Sequence, residues 1–195
     1  MTENRLGDIP NFVPRIKNMD FINFIREQLP PDTDKKEYPC AYKLTDELIL
    51  TYAIDNDEAF IHVSPAMLEQ YEISAEQMRD IGERNCVEIL RDLHVKSQDG
   101  YYRLFAPEHM TACTILFAEL WQQIKEEQGC DVVVGFAHRD AVFYCPAHDA
   151  LARKAMKSAM SNDIEQDQYR LSQCLYQYTE SGWQIVDDQE EPWVS

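Results

Sequence analysis

LFAELWQQIKEEQGCDVVVGFAHRDAVFYCPAHD, residues 116–149, holds in order the end of an amphipathic helix, a glycine stop, a strand, a polar corner and a second strand. Met110, Cys113, Phe117, Leu120 and Ile124 recur at three- and four-residue spacing, and Leu116 and Trp121 widen the stripe, so a helix is predicted from residue 108 to the stop at Gly129. Residues 130–136 (CDVVVGF) form a nearly continuous β-branched run of strand length, the pattern of a strand covered on both faces. Residues 141–145 (AVFYC) return beside it, and Ala137-His138-Arg139-Asp140 is the corner between them.

The rest of the chain repeats this mixture of helix and hairpin. Downstream, Asp149 caps a helix predicted to reach about Met160, with Leu151, Ala152, Ala155, Met156 and Ala159 inward and Arg153, Lys154 and Lys157 outward. Residues 171–178 and 183–186 make a last hairpin across 179–182, and the acidic tail 187–195 is expected to be mobile. Upstream, residues 1–18 carry prolines at 10 and 14 and read as an extended lead-in, with Phe12, Val13 and Ile16 laid on the body. Asp20 then starts a short helix ended by Pro30-Pro31. Residues 47–54 and 59–63 form a hairpin across 55–58, and Ser64-Pro65 starts a short helix. Ser74-Ala75-Glu76-Gln77 is a capping box opening a helix to about Leu93, in which Gly82 is a cost with no local reason. A further hairpin turns at Gln98-Asp99-Gly100. Helices alternating with hairpins predict an α+β fold with a mixed or antiparallel sheet, and with no linker in view residues 1–195 read as a single domain.

Composition narrows the function classes. A net charge of −17, from 35 acidic and 18 basic residues, repels phosphate backbones and anionic membranes, so nucleic acid and membrane partners are not expected and a basic protein is. No apolar run reaches the ~18 residues of a membrane span. The six cysteines stand singly, without CxxC spacing, which suits reduced thiols in the cytoplasm. Nothing in the sequence sets an oligomeric state, and no cofactor motif is present.

Three candidate sites follow. His138, Arg139 and Asp140 combine an imidazole, a fixed cation and a carboxylate, the minimum for general acid–base work, although an Arg-Asp pair is also ordinary turn chemistry. Cys145 and His148, with His138 across the hairpin, give a Cys/His/His zinc set, but the paired ligand spacing of zinc sites is missing. Cys130 or Cys145 could act as nucleophile with His138 as base, without a helix start to lower the thiol pKa. Arg153, Lys154 and Lys157 form a basic helix face that is either solvated or meets an acidic partner. His62, His94 and His109 read as ordinary surface or core histidines. Tyr176, Tyr178 and Trp183 either close the core or offer an aromatic contact surface.

The helix with Leu116, Leu120 and Trp121 followed by DVVVGFAHRDAVFY resembles the YtpQ-like bacterial proteins of unknown function, which place a Leu-Trp helix before a strand, an Arg-Asp corner and a strand. Residues 54–90 are similar to them in order and spacing. Ala137 stands where that family has proline. The resemblance implies a bacterial cytoplasmic α+β protein and carries over no catalytic residue. The sequence therefore reads as a non-enzymatic binding or accessory module, of chaperone-like or immunity type, with a small hydrolase, metal-assisted or not, at the 138–140 corner as the alternative.

Overall fold

The computed structural model describes residues 10–55, 60–166 and 169–186. In chain order the elements are β1 (Phe12–Asn18), α1 (Asp20–Gln28), β2 (Ala41–Lys43), β3 (Leu48–Asp55), β4 (Phe60–His62), α2 (Pro65–Tyr71), α3 (Ala75–Leu90), β5 (His94–Gln98), β6 (Tyr101–Phe105), α4 (Ala118–Gln128), β7 (Val132–His138), β8 (Ala141–Pro146), α5 (Ala150–Gln166), β9 (Leu175–Thr179) and β10 (Gly182–Val186). Short 3-10 turns cover Lys35–Glu37, Pro107–His109 and Thr111–Leu116. The strands form two antiparallel sheets: β3 pairs with β1, β2 and β4, and a second sheet runs β10-β9-β7-β8-β6-β5. This is the α+β fold that the alternation of hairpins and helices predicts; of the mixed or antiparallel arrangement expected, the strands are antiparallel, and they divide into two sheets rather than one.

The centre of the larger sheet explains why residues 130–136 are apolar without alternation. Every residue of β7 is buried. Val132, Val134 and Phe136 face a core shared with Phe12, Leu50 and Tyr52 of the smaller sheet and with Trp121 and Ile124 of α4. Val133 and Ala137, with Phe143 and Cys145 of β8, face Ala152, Met156 and Met160 of α5. With both faces covered, period-two patterning has no polar face to mark. Gly135 lets α5 approach the strand, since a Cβ there would stand 2.2 Å from Met160 Sδ.

Local signals set several boundaries as expected. The capping box is complete: Ser74 Oγ accepts from Gln77 N–H at 3.1 Å, and Gln77 Oε1 accepts from Ser74 N–H at 2.8 Å. Asp149 Oδ1 accepts from the amides of Leu151 and Ala152, starting α5. Gly129 ends α4 at φ 66°. Asp99 and Gly100, both at positive φ, make the two-residue turn between β5 and β6.

Other expectations are corrected. Residues 12–18 are a strand rather than a lead-in, and Pro14 is tolerated because β1 pairs on one side only, with β3. The predicted helix from residue 108 begins only at Ala118. Glu108 and His109 take left-handed φ values of 56° and 59°. Beyond them Thr111 Oγ1 accepts from Ala106 N–H, Thr114 Oγ1 donates to Thr111 O, Trp121 Nε1 donates to Thr114 O and Ala112 N–H donates to Arg139 O. Side chains and the distant 138–140 corner thus take the backbone partners an α-helix would have used. The helix after the capping box ends at Leu90, and the one after Asp149 extends to Gln166 with Leu151 exposed, not inward. Gly82 gains a reason: a Cβ there would stand 2.6 Å from Cε1 of the buried Tyr52 ring. The lead-in 1–9, the turn at 56–59 and the tail 187–195 lie outside the described residues.

Candidate functional site

The 138–140 corner is divided among three tasks, and its imidazole is committed to structure. His138, 8 % exposed, accepts on Nδ1 from Asp140 N–H at 3.1 Å, and its Nε2 lies 4.0 Å from Asp163 Oδ2. Asp163 in turn holds Arg103 at 3.0 Å. The acceptor role of Nδ1 puts the proton of the neutral ring on Nε2, facing that carboxylate. Asp140 Oδ2 lies 2.9 Å from His109 Nδ1 and accepts from Arg139 Nε at 3.2 Å. The Arg139 guanidinium carbon lies over Tyr169, 3.8 Å from the ring centroid.

The proposed zinc set is not brought together. Cys145 is fully buried on the α5 side of β8, whereas His148 is exposed beyond the strand end. Among the described residues no group of three His, Cys, Asp or Glu could hold a metal. Of the basic helix face, Arg153 and Lys157 are half-buried and Lys154 is exposed. Tyr176 is buried, and Trp183 makes edge contacts with Trp121, Phe136 and Tyr178 while its Nε1 donates to Ile115 O. These aromatics close the core.

Arg139 leads to a site that the sequence did not mark. A cavity of about 200 Å³ opens beside the corner, lined by Arg15, Lys17, His62, His109, Arg139 and the rings of Phe60 and Tyr169 among others. Arg15 and Lys17 are two residues apart on β1, hence on one face of it. Arg15 sits 4.1 Å from the Phe60 centroid, and its guanidinium also donates to Met110 Sδ at 2.8 Å. Lys17 Nζ lies 5.9 Å from the Tyr169 ring that carries Arg139. His62, held against Phe21 at 4.8 Å between ring centroids, buries its Nδ1 without a hydrogen-bond partner among the described residues. Burial, and then the charges of Lys17 and Arg15, pull its pKa down to about 4, so the ring is neutral near pH 7. Burial likewise leads in holding the Lys17 ammonium below the usual lysine range, with Arg15 and Arg139 adding to it. No carboxylate is among the described lining residues. The alternation Arg15-Ile16-Lys17 is the sequence signal for it, and it carries meaning only once residues 12–18 are a strand.

A second polar cluster joins the two sheets. Ser172 Oγ donates to Glu47 Oε2, and accepts from Tyr176 Oη at 2.8 Å and from Cys174 N–H at 2.9 Å. Cys174 Sγ donates to Glu47 Oε1 at 3.2 Å. Burial, with the Glu47 carboxylate second, pushes the Cys174 thiol up, and burial pushes Tyr176 up to about 12. A serine with its proton and lone pairs engaged, beside a thiol held protonated, is a structural tie rather than a nucleophile. Cys86 and Cys113 are both buried, Cys113 Sγ donates to Pro14 O at 3.4 Å, and the neighbouring Cys113 thiol, followed by burial, raises the Cys86 thiol.

No family model, curated protein or solved structure matches the chain. No described helix is long and apolar enough to cross a membrane.

Proposed function

We propose that this chain is a non-enzymatic binding protein and that its recognition site is the cationic cleft beside the corner. The observation that carries the reading is the convergence of Arg15, Lys17 and Arg139 on one cavity in a chain of net charge −17. Lys17, half-buried, is held below the usual lysine range by burial and by the neighbouring Arg15 and Arg139, and an anion that binds there would favour its charged form. The bond from Asp140 N–H to His138 Nδ1 favours binding over hydrolysis at the corner. The acidic outer surface suits a basic protein partner and disfavours nucleic acid. We propose a cytoplasmic setting from the six singly spaced cysteines, and a YtpQ-like bacterial origin from the central block.

The test is thermal unfolding of the full chain against a panel of small anions at constant ionic strength. Stabilisation that depends on the anion, and that Arg139→Gln removes, is the expected result, because a ligand bound only by the native state raises the melting temperature. Equal melting temperatures across the panel would refute the reading.

A further inference from the structure

We propose that Lys17 is a covalent capture site for a compact, uncharged aldehyde, held in the cleft as an imine. This goes beyond anion recognition and stands on the surroundings of one amine, whichever ion the cleft takes.

Lys17 differs from other lysines of the chain in what meets its nitrogen. Lys36, Lys43 and Lys125 hold Glu69, Asp46 and Asp131 at 2.5, 2.7 and 2.5 Å, and a carboxylate so close keeps an ammonium charged. Among the described residues Lys17 Nζ has neither a hydrogen bond nor an ion pair. It lies instead 5.1 Å from the Phe21 ring centroid and 5.9 Å from that of Tyr169. The strand fixes this placement: Lys17 pairs with Ile49 of β3, and alternation sends its side chain to the cleft, opposite the buried Ile16.

The neighbouring guanidinium groups are not free cations. Arg139 is paired with Asp140, and Arg15 donates to Met110 Sδ and Glu108 O. Burial is accordingly the first cause that holds the Lys17 ammonium below the usual lysine range, with Arg15 and Arg139 adding to it. More of this amine is therefore unprotonated near neutral pH than of an exposed lysine, which is the condition for attack on a carbonyl carbon.

The cavity sets the partner. Its volume of about 200 Å³, with Phe60 and Tyr169 among the walls, lies below the roughly 300–1,000 Å³ of drug-sized sites and admits only a compact molecule. An uncharged carbonyl compound enters without the desolvation cost of an ion. The Nζ lone pair then forms a bond to the carbonyl carbon. Both hydrogens of the neutral amine end on the carbonyl oxygen, which leaves as water, and a carbon–nitrogen double bond replaces the carbon–oxygen one. No oxidant or reductant is consumed, and water reverses the step.

Propanal with sodium cyanoborohydride, which reduces the imine to a stable secondary amine, tests the site when the full chain is mapped by peptide mass at short times. Lys17 is expected to be propylated at least about tenfold faster than the exposed Lys35 and Lys154. In urea, which removes the cleft, the rates are expected to converge. Lys17→Arg, with an unchanged circular dichroism spectrum, is expected to leave only the slow lysines. If that variant does not fold, the map of the natural protein decides alone. Lys17 reacting no faster than Lys35 and Lys154 overturns the capture site and leaves the anion test of the cleft standing. A fast Lys17 that stays fast in urea overturns the assignment to this cavity.

Discussion

The α5 face of the larger sheet and the cleft beside β1 lie on either side of the 138–140 corner, and they treat polar groups in opposite ways. Under α5 the strands contribute Val133, Ala137, Phe143 and Cys145, and Gly135 removes even a Cβ so that Met160 can fit. In the cleft, cations are brought near one another, a buried imidazole nitrogen lacks a partner among the described residues, and Lys17 and His62 are shifted toward their neutral forms. The first arrangement minimises free energy for the chain alone. The second keeps Lys17 and His62 in surroundings that disfavour their charged forms. Adjacent residues serve both: His138 is bonded into the corner, while Arg139 turns to the cleft. A histidine and an arginine next to each other in sequence therefore need not form one site.

Substitutions on the packed side should cost stability, and those on the cleft side should alter linkage and binding. The largest effect is expected for Trp121→Ala, which empties a fully buried ring packed against Phe136, Tyr144 and Trp183 and deletes the bond to Thr114 O. A loss of about 3–5 kcal/mol should appear in urea unfolding, and a loss below about 1 kcal/mol would mean that this core is loosely packed. Gly135→Ala comes next. Its Cβ must displace the Met160 thioether, so a cost of about 1–3 kcal/mol is expected in the same assay, and a neutral result would show that α5 can lift away.

Acid unfolding probes the cleft. The folded pKa of His62, about 4, lies below the ordinary 6.5. The unfolded chain therefore takes up its proton first as pH falls. The contribution to stability is complete above about pH 6.5 and is lost as pH drops toward about 4. Compared with His62→Asn, the natural protein should lose on the order of 2 kcal/mol more across that window. Parallel pH profiles would show that the ring is not held neutral beside Lys17 and Arg15. The smallest stability effect is expected for Arg139→Gln, within about 1 kcal/mol, since it removes a cation–π contact and the bond to Asp140. A larger loss in its melting curve would move Arg139 from the binding side of the comparison to the structural side.

Much of the architecture could be read locally. The capping box at Ser74, the stop at Gly129, the Asp99-Gly100 turn and the doubly covered run at 130–136 each act through neighbouring residues, so their signals survive in the sequence. Where the reading failed, the partner was remote. Residues 107–116 have helical apolar spacing, yet Ala112 N–H pairs with Arg139 O and Arg15 reaches Met110 Sδ, contacts that no local window contains. The corner was visible as His-Arg-Asp, but its division between structure and cleft was not.

By itself the sequence determined the α+β class, the antiparallel hairpins, the principal caps and the acidic charge, because these follow from residue type and short-range periodicity. Only the tertiary structure decided the roles of Gly82 and Gly135, the 3-10 path before α4 and the assembly of Arg15, Lys17, His62 and Arg139 around one cavity. The reason is physical: steric approach, desolvation and charge convergence depend on distance in space, and these four cleft residues come from three separate parts of the chain.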